Sequence, residues 1–372
     1  MLKCMSVKRK QLSFSIFIAM QADLFGPTSE PVMGHATVAP VQLAPDARQW
    51  LGMAAQLPAG LRMGVSTWSY PGWDGLVWDG LYDASVLSRD GLQAYAQHPL
   101  MRTVSVDRTF WRPLTATQYA QMAAQVPEDF RFLVKCPNLV TDALLRGDDG
   151  LGQSDNPAFL SPTLALQHFV QPVLDGMGDK LGVLLFQLSP LPLRLLHHQD
   201  ELWVQLAQLL AAVQRTLQER ALSACPIVAL EVRDPALLTP ALAQVLRSHG
   251  ATYCLGLHGK MPPIEAQLPL LRALWPGPLV CRWSLNRSFG PFGYRAAQEQ
   301  HAPFNAIRSP DPHTRTVLAR TIAGITGAGQ PAFVTISNDA EGCAPCSIGL
   351  LAQAVVDVGA PSSSKKASAT LE

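Results

Sequence analysis

Eight short apolar runs punctuate the middle of the chain: "RMGVSTW" from Arg62, "TVSVDRTF" from Thr103, "FRFLVKC" from Phe130, "LGVLLFQL" from Leu181, "IVALEVRD" from Ile227, "TYCLGLHG" from Thr252, "LVCRWSL" from Leu279 and "AFVTISND" from Ala332. Most are nearly continuous in Val, Ile, Leu, Phe and Ala instead of alternating with polar residues. That pattern suits parallel strands covered on both faces. The segments between them, such as "TATQYAQMAAQV", "DELWVQLAQLLAAVQRTLQER" and "TPALAQVLRSHG", carry helical spacing, and several open on a Ser, Thr or Asp able to cap free N–H groups. Eight strands alternating with eight helices predict an α/β fold, a (β/α)8 TIM barrel, over residues 61–358. A doubly wound sheet shares the alternation and is the alternative.

The flanks lack this periodicity. Residues 1–60 contain "GPTSEPVMGHATVAPVQLAPDA", too poor in apolar residues to offset its ordering entropy, and are read as a leader and flexible linker; residues 359–372 are read as a polar tail. Near the start, "VKRK" before "LSFSIFIAM" has the outline of a signal peptide, but the run is short, broken by serines and without a small-residue cleavage site. The expectation is that Met20 is the true start. No other segment approaches the roughly 18 apolar residues of a membrane span.

Composition narrows the function only by exclusion. A net charge of +1 over 372 residues gives no global field toward nucleic acid or anionic lipid, so such contacts need a local patch or a tether. Of seven cysteines, Cys136, Cys225, Cys254 and Cys281 lie in or beside apolar runs, which favours a reducing, cytoplasmic setting. "CAPC" (Cys343–Cys346) has metal or redox spacing, but with no second Cys pair nearby it is read as structural. No phosphate-cradling Gly loop, zinc-protease helix or nucleophile elbow is present, so no metal is assigned and any cofactor stays open.

In a barrel the functional face lies where the strands end. Those ends carry Trp68, Asp107, Lys135, Gln187, Glu231, Arg233, His258, Arg282, Asn338 and Asp339. Strand alternation puts Glu231 and Arg233 on one side, and two desolvated charges there require compensation, with Lys135 and Arg282 as the available partners for Glu231. One reading is a self-compensated ion network plugging the barrel top. The other is an anion site for phosphate or carboxylate, with Glu231, Asp107 and Lys135 as the catalytic set and Trp68, Tyr70, Gln187, Arg233, Arg282 and Asn338 as ligand-binding residues. Trp73 and Trp78 are expected to pack under the first loop.

These strand-end residues resemble those of the YecE-like family, domain of unknown function 72. The resemblance spans roughly Arg62 to Val358 and rests on "GVSTWSYPGW", "VSVDRTFWRP", "VPEDFRFLVKCP", "LGVLLFQLSP", "ALEVRD" and "SNDAEGCAP" in order. It implies a TIM barrel and a set of characteristic positions at Trp68, Tyr70, Lys135, Gln187, Glu231, Arg233, Arg282 and Asn338; the family's activity is not established. Ser105 and Asp107 stand where the family usually has Glu and Asn, and Asp142, Asp234 and Ser284 where it usually has histidines.

"QADLF", with Gln21, Asp23, Leu24 and Phe25, has the form of the pentapeptide by which bacterial replication and repair proteins bind the DNA sliding clamp. Leu24 and Phe25 would fill an apolar pocket and the Gln21 amide would bond at a second subsite. The leading expectation is a clamp-recruited barrel that reaches DNA through the clamp and acts on or binds a phosphate-containing group of it, as a phosphodiesterase or nuclease. Alternatives are a small-molecule enzyme for a sugar phosphate or related anion, and a non-catalytic clamp adaptor.

Overall fold

The computed structural model describes residues 40–359 except 148, 149 and 221. All eight apolar runs are strands. In chain order they are β1 (Leu61–Val65), β2 (Met101–Val106), β3 (Arg131–Lys135), a short hairpin β4 (Leu144–Arg146) and β5 (Gly152–Asp155), then β6 (Leu181–Gln187), β7 (Ile227–Glu231), β8 (Thr252–Leu257), β9 (Leu279–Trp283) and β10 (Ala332–Ile336). The eight long strands close in the order β1-β10-β9-β8-β7-β6-β3-β2, every pair parallel, which excludes the doubly wound alternative. The β4–β5 hairpin stands apart from the barrel. It was not legible in the sequence because Gly152–Asp155 is wholly exposed and carries no apolar pattern.

Alternation along each strand divides the molecule into two cores. Leu133, Val183, Leu185, Ala229, Cys254, Val280 and Phe333 form a separate cluster inside the barrel. Their outward neighbours Val134, Leu184, Leu230, Leu255, Cys281 and Val334 join the larger cluster under the helices. Each fully buried Leu, Ile, Val or Phe there contributes about 1.5–3 kcal/mol. The strands approach most closely at Gly64, beside a register shift against β2, where a Cβ would come within 1.8 Å of the Thr103 carbonyl oxygen.

The helices form where the spacing predicts them, and their caps explain their starts. Thr115 makes a reciprocal capping box with Gln118, and Ser161, Thr239 and Asp311 accept from backbone N–H groups of the first turns of their helices. The segment 162–177 is helical throughout but carries a π turn over Leu166–Val170.

One boundary moves. The linker expected to run to residue 60 gives way to folded chain from Val41. Val41, Ala44 and Ala47 are buried, Pro45–Trp50 is a 3-10 helix continued by Leu51–Ala54, and the Trp50 ring lies against Gly349 of the last helix. A short 3-10 turn buries so few residues that it leaves no 3.6-residue period in the sequence. This segment starts beside the loop after β1, where Ala44 N donates to Val77 O (2.9 Å) and Asp79 N to Gln42 O (3.2 Å).

Candidate functional site

Two residues above the apolar layer inside the barrel, the same strands turn polar. Alternation carries Leu133 to Lys135, Leu185 to Gln187, Ala229 to Glu231 and Val280 to Arg282, all pointing toward the axis. Gln187 and Glu231 are register partners, and Gly256 on β8, paired with Arg282, offers no side chain beside the Glu231 carboxylate.

Glu231 is completely buried between two guanidinium groups. Its Oε2 accepts from Arg282 Nη1 at 2.8 Å, and its Oε1 lies 2.6 Å from Arg233 Nη2. Gln187 Oε1 ties the same two arginines together, accepting from Arg233 Nη2 at 3.0 Å and Arg282 Nη1 at 3.2 Å. Arg282 Nη2 donates to Asp107, which also accepts from the Ser105 hydroxyl at 2.5 Å. Five of the expected residues, Asp107, Gln187, Glu231, Arg233 and Arg282, are thereby joined in one network.

Lys135 stands apart from it. The expectation that it would partner Glu231 is not met, because Arg233 and Arg282 already occupy both carboxylate oxygens. Lys135 is 7% exposed, and its Nζ, with no ion pair or hydrogen bond to a described residue, rests 3.7 Å from the centre of the Phe110 ring. Burial, assisted by Arg282 and Arg233 and opposed by Asp107 and Glu231, lowers it to about 7. Burial alone would raise the Glu231 carboxyl, but Arg233, Arg282 and Lys135 outweigh it and hold it at about 2. Arg282 is driven the other way, above its ordinary value, by Asp107 and Glu231 against the cost of burial.

Four buried N–H donors of these strand ends meet no acceptor among the described residues: Arg233 Nε, Arg282 Nε, Trp68 Nε1 and Asn338 Nδ2. Beside the network lies an aromatic cluster. Asn338 Oδ1 accepts from Trp73 Nε1 (3.2 Å) and Ala344 N (2.8 Å), and the Tyr70 ring packs on Trp73 and Phe304 at 5.2 and 5.4 Å. Trp73 and Trp78 are stacked and wholly buried, as expected for the first loop.

Two residues outside the strand-end set, Phe110 and Tyr294, belong here, together with the strand-end acid Asp339. Phe110 floors Lys135, Tyr294 lies beside Arg233, and Asp339 is raised to about 7 by burial, only partly offset by hydrogen bonding to Ser337 and Gln298. Phe110 and Asp339 follow strand ends directly in sequence. Tyr294 sits on a helix that no strand pattern announces. His258 is lowered to about 3 by burial and then by Arg233, and its Nδ1 accepts from Lys260 N, so it stays neutral.

Asp142 and Asp234, two of the acids in place of family histidines, are spent on structure: Asp142 pairs with Arg146 at 2.6 Å, and Asp234 accepts from Leu191 N at 2.8 Å. No group of three or more His, Cys, Asp or Glu side chains among the described residues is placed to hold a metal. Gln21, Asp23, Leu24 and Phe25 lie outside the described residues.

Residues 62–369 match the family described as protein of unknown function DUF72. The chain belongs to this family. A solved DUF72 family protein from Enterococcus faecalis shares 15% identity at a TM-score of 0.50, covering 80% of this chain and 95% of its own. Another, from Thermotoga maritima, shares 15% identity at a TM-score of 0.47 over 79% of this chain and 98% of its own. At this identity the first likeness carries the DUF72 barrel and nothing of the chemistry. No curated protein matches the chain. No helix among the described residues is long and apolar enough to cross a membrane.

Proposed function

We propose that this DUF72 barrel binds a phosphate-bearing group in its mouth and acts on it through Lys135. The observation that carries the reading is a buried lysine near neutrality that has no carboxylate partner among the described residues, set beside two arginines whose Nε atoms have no acceptor among them. Unmatched N–H donors in a desolvated site favour a ligand rich in acceptor oxygens. Glu231, held ionised with both oxygens engaged, positions the arginines and is a poor proton carrier, so Lys135 replaces it as the proposed base. A neutral Lys135 would take a proton from water as that water attacks phosphorus and the ester P–O bond breaks.

The ligand we favour is a phosphodiester of DNA, reached through the sliding clamp. The support is the pentapeptide at residues 21–25, since a protein of net charge +1 gains from a tether what it lacks in field. Pull-down of the full chain on purified clamp, with Leu24→Ala and Phe25→Ala together as control, tests recruitment; equal capture of both proteins sinks it. Cleavage of clamp-loaded DNA by the parent and by Lys135→Met tests the chemistry. Loss of about a hundredfold or more in rate is expected, and equal rates would remove Lys135 from the reaction.

A further inference from the structure

The "CAPC" motif, structural on the sequence reading, touches the site above only through Ala344 N on Asn338, and neither of its sulfurs takes part there. Gly342 leaves the short helix Asn338–Glu341 at φ 113°, packed so closely that a Cβ would come within 2.6 Å of Ala306 O. That turn sets Cys343 immediately before the helix Ala344–Gly359 and Cys346 in its first turn. Of the N–H groups of this turn, two reach the first cysteine and one reaches Asn338. Ala344 N donates to Asn338 Oδ1 (2.8 Å), Cys346 N to Cys343 Sγ (3.4 Å) and Ser347 N to Cys343 O (2.9 Å).

The two sulfurs lie 2.9 Å apart, the Cys343 thiol donating to Cys346. Cys343 is fully buried and Cys346 partly exposed, so only the second sulfur meets solvent. Helix rise and radius put Cα atoms three residues apart at about 5 Å, within the Cα span a disulfide bridges. The hydrogen bond from Cys343 also draws Cys346 below the ordinary thiol range, while Cys343 is pushed up. The buried Cys136, Cys254 and Cys281 are all raised by desolvation instead.

We propose that Cys343 and Cys346 form a reversible dithiol–disulfide site that exchanges with small-molecule disulfides of the glutathione class. The Cys346 thiolate attacks one sulfur of the external disulfide, the S–S bond breaks, and one thiol leaves. Cys343, giving up its proton to solvent, then attacks the Cys346 sulfur of the mixed disulfide and expels the second thiol. One external disulfide is reduced to two thiols as the protein pair is oxidised by two electrons.

The test uses the native full chain in glutathione buffers of graded ratio, followed by alkylation and mass spectrometry of the peptide holding residues 343–346. The expected result is an internal disulfide at 343–346 that reductant reopens, with Cys136, Cys254 and Cys281 still alkylated only after denaturation. Cys343→Ala should stop at a glutathione adduct on Cys346, formed on the order of tenfold more slowly because the thiolate has lost its donor. Cys346 and Cys343 remaining as free thiols at every ratio, or oxidation confined to the exposed Cys225, would overturn the proposal. The parent measurement decides the matter even if the variant fails to fold.

Discussion

The lower and upper halves of the barrel interior are built from the same strands, yet they obey opposite rules. Below, Leu133, Val183, Leu185, Ala229, Cys254, Val280 and Phe333 close the axis with apolar volume. Above, one alternation step later, Lys135, Gln187, Glu231 and Arg282 fill it with charge and amide. The lower layer needs only volume and shape, so its residues are interchangeable in kind. The upper layer needs named partners at named distances, because each buried charge costs several kcal/mol unless it is met. What the contrast teaches is that Lys135 is the exception within the upper layer, having burial without a partner.

The sharpest break of the comparison removes one partner. Glu231→Gln leaves Arg233 without its carboxylate and Arg282 with only Asp107 and Gln187, and should cost about 3–5 kcal/mol in urea unfolding. Leu185→Ala, in the lower layer, should cost about 2–5 kcal/mol through its cavity. The two differ in salt response, since high ionic strength should leave the Leu185→Ala loss unchanged. Unaltered stability in Glu231→Gln would mean that the ion network is not where stability resides.

A second expectation concerns acid. Glu231 is held at about 2 in the folded chain against an ordinary value of 4.5, so the stability this gives is present above pH 4.5 and lost as pH falls from there toward 2. The loss amounts to about 3 kcal/mol over that window, and it should appear as a narrowing of the stability difference between the parent and Glu231→Gln as pH falls.

The smallest effect on stability is the most telling for function. Lys135 is lowered to about 7 from 10.5, so the unfolded chain binds more protons between those values and the stability of the parent rises with pH across them. Lys135→Met should remove that rise and make the protein about 1–3 kcal/mol more stable at pH 6, where the folded chain still carries the buried charge. A destabilised Lys135→Met would instead assign the lysine to the scaffold.

How much of this could be read from the chain follows from what each feature depends on. The eight strands and their helices were legible because burial on both faces forces continuous apolar runs, as in "LGVLLFQL". The convergence of Gln187, Glu231, Arg233 and Arg282 was legible too, since barrel closure brings strand ends together and alternation sets their direction. Which cation meets Glu231 was not, because choosing Arg282 and Arg233 over Lys135 depends on register across β6, β7 and β9 and on side-chain reach. Tyr294 and the folding of residues 41–54 escaped for a related reason, each depending on a contact with chain distant in sequence and on no local period.

The strap formed by residues 41–54 also fixes where the N-terminal chain leaves the body. Gln42 and Ala44 are pinned to the loop carrying Trp78, on the rim of the barrel opening, and the strap then descends along the last helix to β1. The chain ahead of Val41 is therefore attached on the face where Gln187, Glu231, Arg233 and Arg282 converge, and this attachment point sets a direction.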